Sequence, residues 1–457
     1  MPAMRVKRSK ALEKHTRSVE AEKEIMKSGF PSPASALLFL SIAVGLALYR
    51  RDDHRCLPFP PLDSPTTTCD LFSTSYHQAR KRFRQACPTD TVALDVLPGD
   101  GDYTTDICVV PGTAPGVVLH LSGTHGIEGY AGSAIQLAYL FMRQQTESHP
   151  TLVLVHAVNP HGMAHFRRTN EHNVDLNRNG LNTTEWDMVH AALNEKSFDA
   201  SSSSPLARTV QEQQRSRKDL QIFFRPPVIW QSYSVSSFIS WGTSILALAL
   251  YGQPRLKRSM VAGQYHDPTD VFFGGSKHPE PSLSLLRNWL ESSMSQVWAH
   301  DAVWTVVDVH TGLGRKGEDT LLQGSHRGDP QSICDWFRGS ECQSEQAGSV
   351  SSGYEGVRGF AMDYLLEHTI AATSGLPHLA VAQEFGTIPA VLVGNSLVVE
   401  NAGRQAGLEW GRYTTLRSFY PADAAWRDKV LKNGLRLLRQ AMDRSVNLSA
   451  TATSAES

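Results

Sequence analysis

"GVVLHLSGTHGIEGYAGSAIQLAYLFMRQQ", residues 116–145, decides the fold. Its first eight residues form a short apolar run that ends in glycine. Residues 132–145 space their apolar side chains as a helix does. Between the two lie His125 and Glu128, in a loop that Gly123, Gly126, Gly129 and Gly132 keep open. Three further runs repeat the opening form: "TLVLVHAVNP" (151–160), "AVWTVVDVHTG" (302–312) and "LPHLAVAQEFG" (376–386). Apolar strands that end in polar loops and alternate with helices predict an α/β domain with a largely buried sheet. In such sheets ligands gather at the carboxyl ends of the strands.

The polar residues at those ends suit one chemistry. After 116–121 come His125 and Glu128; after 151–158 comes "RRTNEHNVDLNRN" (167–179); His310 and Glu384 end the other two runs. Two histidines and one carboxylate make a catalytic zinc site, with three protein ligands and a fourth position for water. His125 and Glu128 fit as a short-spaced pair and His310 as the distant third ligand. Zinc brings the ionisation of bound water close to neutral pH. An unligated carboxylate must then accept the proton and deliver it to the leaving group, and Glu384 is the candidate. Taken singly, each of these residues also reads as a solvated loop side chain. The joint pattern argues for the metal.

The 457 residues carry a formal net charge of −1, which gives no reason to expect nucleic acid as a partner. Residues 1–33 read as a basic, disordered tail. "ASALLFLSIAVGLALY" (34–49) has no charge and reads as a single-pass membrane anchor; a buried helix or a cleaved signal are the alternatives. Residues 50–75 read as a linker, and 76–443 as the catalytic domain. Within it, 200–219 reads as an exposed insertion, 238–252 as a core helix and 426–443 as an amphipathic closing helix. Residues 444–457 read as a disordered tail. Sequons at Asn182 and Asn447 suit a luminal or extracellular domain; a soluble protein is the alternative. Cys334 and Cys342 read equally as a loop disulfide or as free thiols. Nothing in the sequence fixes an oligomeric state.

"THGIEG", "RRTNEHNVDLNRN", "VDVHTGLG" (307–314) and "AQEFGT" (382–387) together resemble the zinc carboxypeptidase superfamily, the carboxypeptidase A-like metallopeptidases. More closely, they are similar to a branch catalogued as a domain of unknown function, as are "GQYHDPTDVFFGG" (263–275) and "FYPADAAWRDKVLKNG" (419–434). The resemblance spans about residues 70 to 442. It implies a mixed, mostly parallel central sheet flanked by helices, and one Zn2+ per chain on His125, Glu128 and His310. Glu384 would be general base and then acid, and Arg168 would polarise the scissile carbonyl, with Arg167 next to it as the alternative. Asn177 and Arg178 would hold a substrate carboxylate, and Asp175 would orient His125. Tyr354 and Tyr364 are the candidates for a substrate-capping tyrosine. The implied activity is removal of a C-terminal residue from a peptide or peptide-like amide. The alternatives are deacylation of an N-acyl amino acid, as aspartoacylase and succinylglutamate desuccinylase perform it, and a non-catalytic metal-binding protein.

Overall fold

The computed structural model describes residues 68–98, 103–143, 148–194, 204–226, 233–297, 302–324, 330–342, 357–367 and 376–456. Eight strands form one sheet: β1 (Val92–Asp95), β2 (Thr104–Val110), β3 (Val117–Ser122), β4 (Thr151–His156), β5 (Trp304–Lys316), β6 (Asp319–Gln323), β7 (Glu341–Cys342) and β8 (Leu379–Gly386). Their order is β1-β2-β4-β3-β5-β8-β6-β7. The middle four, β4-β3-β5-β8, are mutually parallel, whereas β2 and β6 join them antiparallel. The sheet is therefore mixed and mostly parallel, as expected. All six residues of β3 are buried, which is why "VVLHLS" lacks a polar alternation.

Period-two alternation divides the core. Val118, Leu154, Val307 and Val381 face one apolar cluster, shared with Phe83, Tyr139 and Leu438 from the helices Tyr76–Ala86, Gly129–Met142 and Ala424–Glu456. Leu119, Val153, Val306 and Ala380 face the other, shared with Leu286 and Leu290 of the helix Pro281–Val297. Asp308, His310 and Glu384 have the parity of the second face. They lie beyond the apolar positions of that face, toward the carboxyl ends of the strands.

Several expectations need correction. Residues 68–75, expected within the linker, belong to the domain: Phe72 is buried beside Tyr420 and Trp426. Residues 205–219, expected in an exposed insertion, form a packed helix with Leu206 and Val210 buried against Trp186 and Val189. The closing helix runs from Ala424 to Glu456, so 444–456 is not a loose tail. Ser445 and Ser449 are buried on that helix; Ser445 donates to the Val117 carbonyl and Ser449 accepts from the Val303 N–H. Small polar residues pack there where apolar ones were sought. The apolar run 238–252 lies in the helix Tyr233–Tyr251, whose last turns face solvent rather than the core.

Cys334 and Cys342 form a disulfide, and a second one, Cys87–Cys108, ties the end of the first long helix to β2. No helix among the described residues is long and apolar enough to cross a membrane. The expected tail 1–33, anchor 34–49 and most of the linker lie outside the described residues, as does Tyr354.

Candidate metal centre

Two close approaches of backbone shape the loop after β3. Gly123 takes a φ of +70°, a region that side chains other than glycine rarely adopt, and turns the chain off the strand. At Gly126 a Cβ would stand 2.1 Å from the Gly162 carbonyl carbon, so only glycine lets this loop press onto the one that follows β4. That contact is sealed by the Gly126 and Ile127 N–H groups, which donate to the carbonyls of Arg168 and Arg167. The His/Glu loop and the arginine loop are thus one rigid body.

His125, Glu128 and His310 are all buried, and their ligating atoms lie within 4.8 Å of one another. Nδ1 of His125 is 3.0 Å from Oε1 of Glu128, and Nδ1 of His310 is 2.9 Å from its Oε2. The two Nδ1 atoms are 3.2 Å apart. Behind each imidazole stands a carboxylate: Asp175 Oδ1 is 3.1 Å from His125 Nε2, and Asp308 Oδ2 is 3.0 Å from His310 Nε2. Nε2 protonation on both rings leaves both Nδ1 lone pairs aimed at one point beside a carboxylate. Such a set of facing acceptors repels itself unless a proton or a cation sits among them. A divalent ion satisfies all three at once, so the residues fit zinc by donor type and number.

Charge follows this geometry. Burial opposes ionisation of Glu128, but His125 and His310 hold its carboxyl well below the usual range. Asp175 is likewise held low against its burial, chiefly by Arg168 and then His125. Burial pushes Glu384 up to about 7, and the Glu128 charge adds to the rise. Glu384 is the cross-strand partner of His310, and its Oε1 accepts the Leu313 N–H at 2.9 Å.

The arginines separate by partner. Arg168 donates from Nε to Asp175 Oδ2 at 2.9 Å, and its Nη1 reaches Glu128 Oε1 at 3.5 Å. Its guanidinium lies over the ring of Phe272, whose φ of +58° is a strained backbone at the site. Arg167 points elsewhere, to Glu400, Thr169 and Asn173. Asn177 lies beside His310, with Nδ2 3.2 Å from its Nε2, and its Oδ1 accepts the Ala361 N–H. Arg178 is not brought to the cluster: its guanidinium donates to the carbonyls of Val261 and Asn177. Tyr364 is buried on the second face of the sheet, under the guanidinium of Arg287.

Asp308 and Thr124 were not singled out from the sequence. Thr124, next to His125, donates to Asp308 Oδ1 at 2.8 Å, so one carboxylate touches both histidine-bearing segments. The signal was present: Asp308 precedes His310 by two, which puts both on one face of a strand.

A search of curated proteins finds no match. Among solved structures the chain is similar to murein-tripeptide amidase MpaA from Escherichia coli O157, at 15% identity over 70% of this chain and 93% of that one, TM-score 0.32. It is also similar to bovine thrombin-activatable fibrinolysis inhibitor in complex with tick carboxypeptidase inhibitor, at 12% identity over 79% and 98%, TM-score 0.35. Residues 72–433 match the family described as protein of unknown function (DUF2817), and the chain belongs to that family.

Proposed function

We propose that the chain is a zinc-dependent hydrolase that cleaves a C-terminal peptide or peptide-like amide bond, as a metallocarboxypeptidase does. One observation carries the reading: His125, Glu128 and His310 converge beside Glu384, a carboxylate outside the cluster with a pKa near neutrality. A zinc ion on those three residues would supply a Lewis acid and a water that ionises near neutral pH. Glu384 is the proton carrier. Ionised, it accepts a proton from water; protonated, it delivers that proton to the leaving nitrogen. A pKa of about 7 serves both directions.

Arg168 spends its Nε on Asp175 and keeps its Nη groups toward the cluster, where they meet negative charge developing on the carbonyl oxygen. Asp175 fixes the ring of His125. A clamp on the substrate carboxylate by Asn177 and Arg178 requires Arg178 to release the Val261 and Asn177 carbonyls, whereas Arg168 already reaches the cluster. The two described disulfides support an oxidising compartment, in keeping with a luminal or extracellular domain behind an anchor at 34–49.

The test combines metal analysis of the purified full chain with a panel of blocked dipeptides and N-acetyl amino acids. Glu384→Gln should keep the metal and lose about 10²–10⁴-fold in rate. Unchanged hydrolysis in that variant removes Glu384 from the mechanism. Preference for the N-acetyl amino acids makes the protein a deacylase instead.

A further inference from the structure

The last turns of the helix Tyr233–Tyr251 have their polarity inverted. Among the described side chains of this helix, Ser240, Ser244 and Ala247 are buried. Asn395, on the helix Ala390–Gln405, donates to the hydroxyls of Ser240 at 2.7 Å and Ser244 at 3.3 Å. The opposite side of the last two turns is aliphatic and open: Ile245 is 41% exposed, Leu246 46%, Leu248 43% and Leu250 65%, and Ala249 is exposed among them. Residues 233–251 contain no charged side chain. Water is a poor solvent for such a face, and burying it is favourable.

The surroundings say what covers it. The helix ends at Tyr251, with the guanidinium of Arg255 5.0 Å from the ring centroid. The neighbouring helices, residues 205–219 and 253–261, hold seven basic and two acidic residues in a chain whose net charge is −1. Arg217 among them is consumed by buried Asp270. Arg255 and Arg258 are half exposed and pair with half-exposed Asp219 and Glu212, surface ion pairs that phosphate can compete with. The aliphatic face offers no hydrogen-bond donor or acceptor along 245–250. Protein interfaces are richer in aromatic and hydrogen-bonding groups than that, whereas hydrocarbon asks for neither. A spanning role is excluded for this helix by its serine-lined inner side, which is already packed on protein.

We propose that this face rests in the interfacial layer of an anionic lipid bilayer, with the helix along the surface rather than across it. Ile245, Leu246, Leu248 and Leu250 enter the acyl boundary, and Tyr251 and Arg255 lie at the headgroups. The proposal is independent of the hydrolase reading and of an anchor at 34–49.

No cysteine among the described residues is free, so an introduced one is the thiol to label. The full chain carrying Ala249→Cys, or Glu291→Cys as the control on the opposite face of the sheet, is labelled with an environment-sensitive dye. Each is mixed with vesicles of phosphatidylcholine and phosphatidylserine, some of whose lipids carry a nitroxide quencher. The dye at 249 should shift to the blue and be quenched, and the dye at 291 should not. Adding Leu246→Ser and Leu250→Ser should weaken the response at 249 about tenfold or more. Equal responses at the two sites, or one that survives the double substitution, overturns the proposal. So does a blue shift that grows with protein concentration without lipid, which would mean that a second copy covers the face.

Discussion

Asp175 and Asp308 do the same work on opposite sides of the cluster. Asp175 Oδ1 lies 3.1 Å from the Nε2 of His125 and Asp308 Oδ2 3.0 Å from that of His310, and each aspartate also grips a second residue, Arg168 or Thr124. A ligand held this way keeps its tautomer and gains basicity. Asp308→Asn should therefore lower zinc affinity about 10–100-fold in chelator competition, with Asp308→Ala at least as weak. An unchanged affinity would reduce Asp308 to a packing residue. This residue shows the limits of reading a site from sequence. His125, Glu128, His310 and Glu384 were legible because each stands at or just beyond the end of an apolar run. Asp308 stood inside a quoted motif yet looked like one more strand residue. The choice between Arg167 and Arg168 was not legible at all, since adjacent residues differ only in where their side chains point. Glu400, 233 positions away, takes Arg167 out of the site.

Elements were legible where apolar periodicity is strong and illegible where packing relies on small or polar groups. The runs at 116, 151, 302 and 376 became β3, β4, β5 and β8. The serine- and alanine-rich end did not read as structure, because Ser445 and Ser449 are buried through hydrogen bonds and close packing, not through an apolar stripe. Glycine is the third such case. Gly126→Ala forces a Cβ to 2.1 Å from the Gly162 backbone, and both loops must shift to admit it. We expect a loss of about 1–3 kcal/mol in denaturant unfolding, together with weaker metal binding. A variant with wild-type stability would show that the two loops are not in rigid contact.

At the scale of the whole molecule, His120 and His156 are buried on the sheet without a charge. Burial lowers His120 to about 4 and His156 to about 3. Neither ring nitrogen of His156 has a hydrogen-bond partner, and the ring stacks on Phe83. The unfolded chain takes up protons near the ordinary value of about 6.5, whereas the folded chain does not. Stability from this source is complete above that pH and is lost as pH falls toward the folded values. The expected loss is about 2 kcal/mol per group by pH 5. Urea unfolding at pH 7 and pH 5 measures it. His156→Leu should flatten the dependence by its share; an unaltered slope would assign the effect to other groups.

The cluster joins residues that are far apart in the chain: His125 and His310 are 185 positions apart. An ion can be gripped by both only after β3 and β5 have already paired, because loop closure over that length precedes any coordination. Metal binding therefore arrives late in folding. It should leave the refolding rate almost untouched and act by slowing the escape from the native state, so zinc would govern the lifetime of this protein more than its assembly.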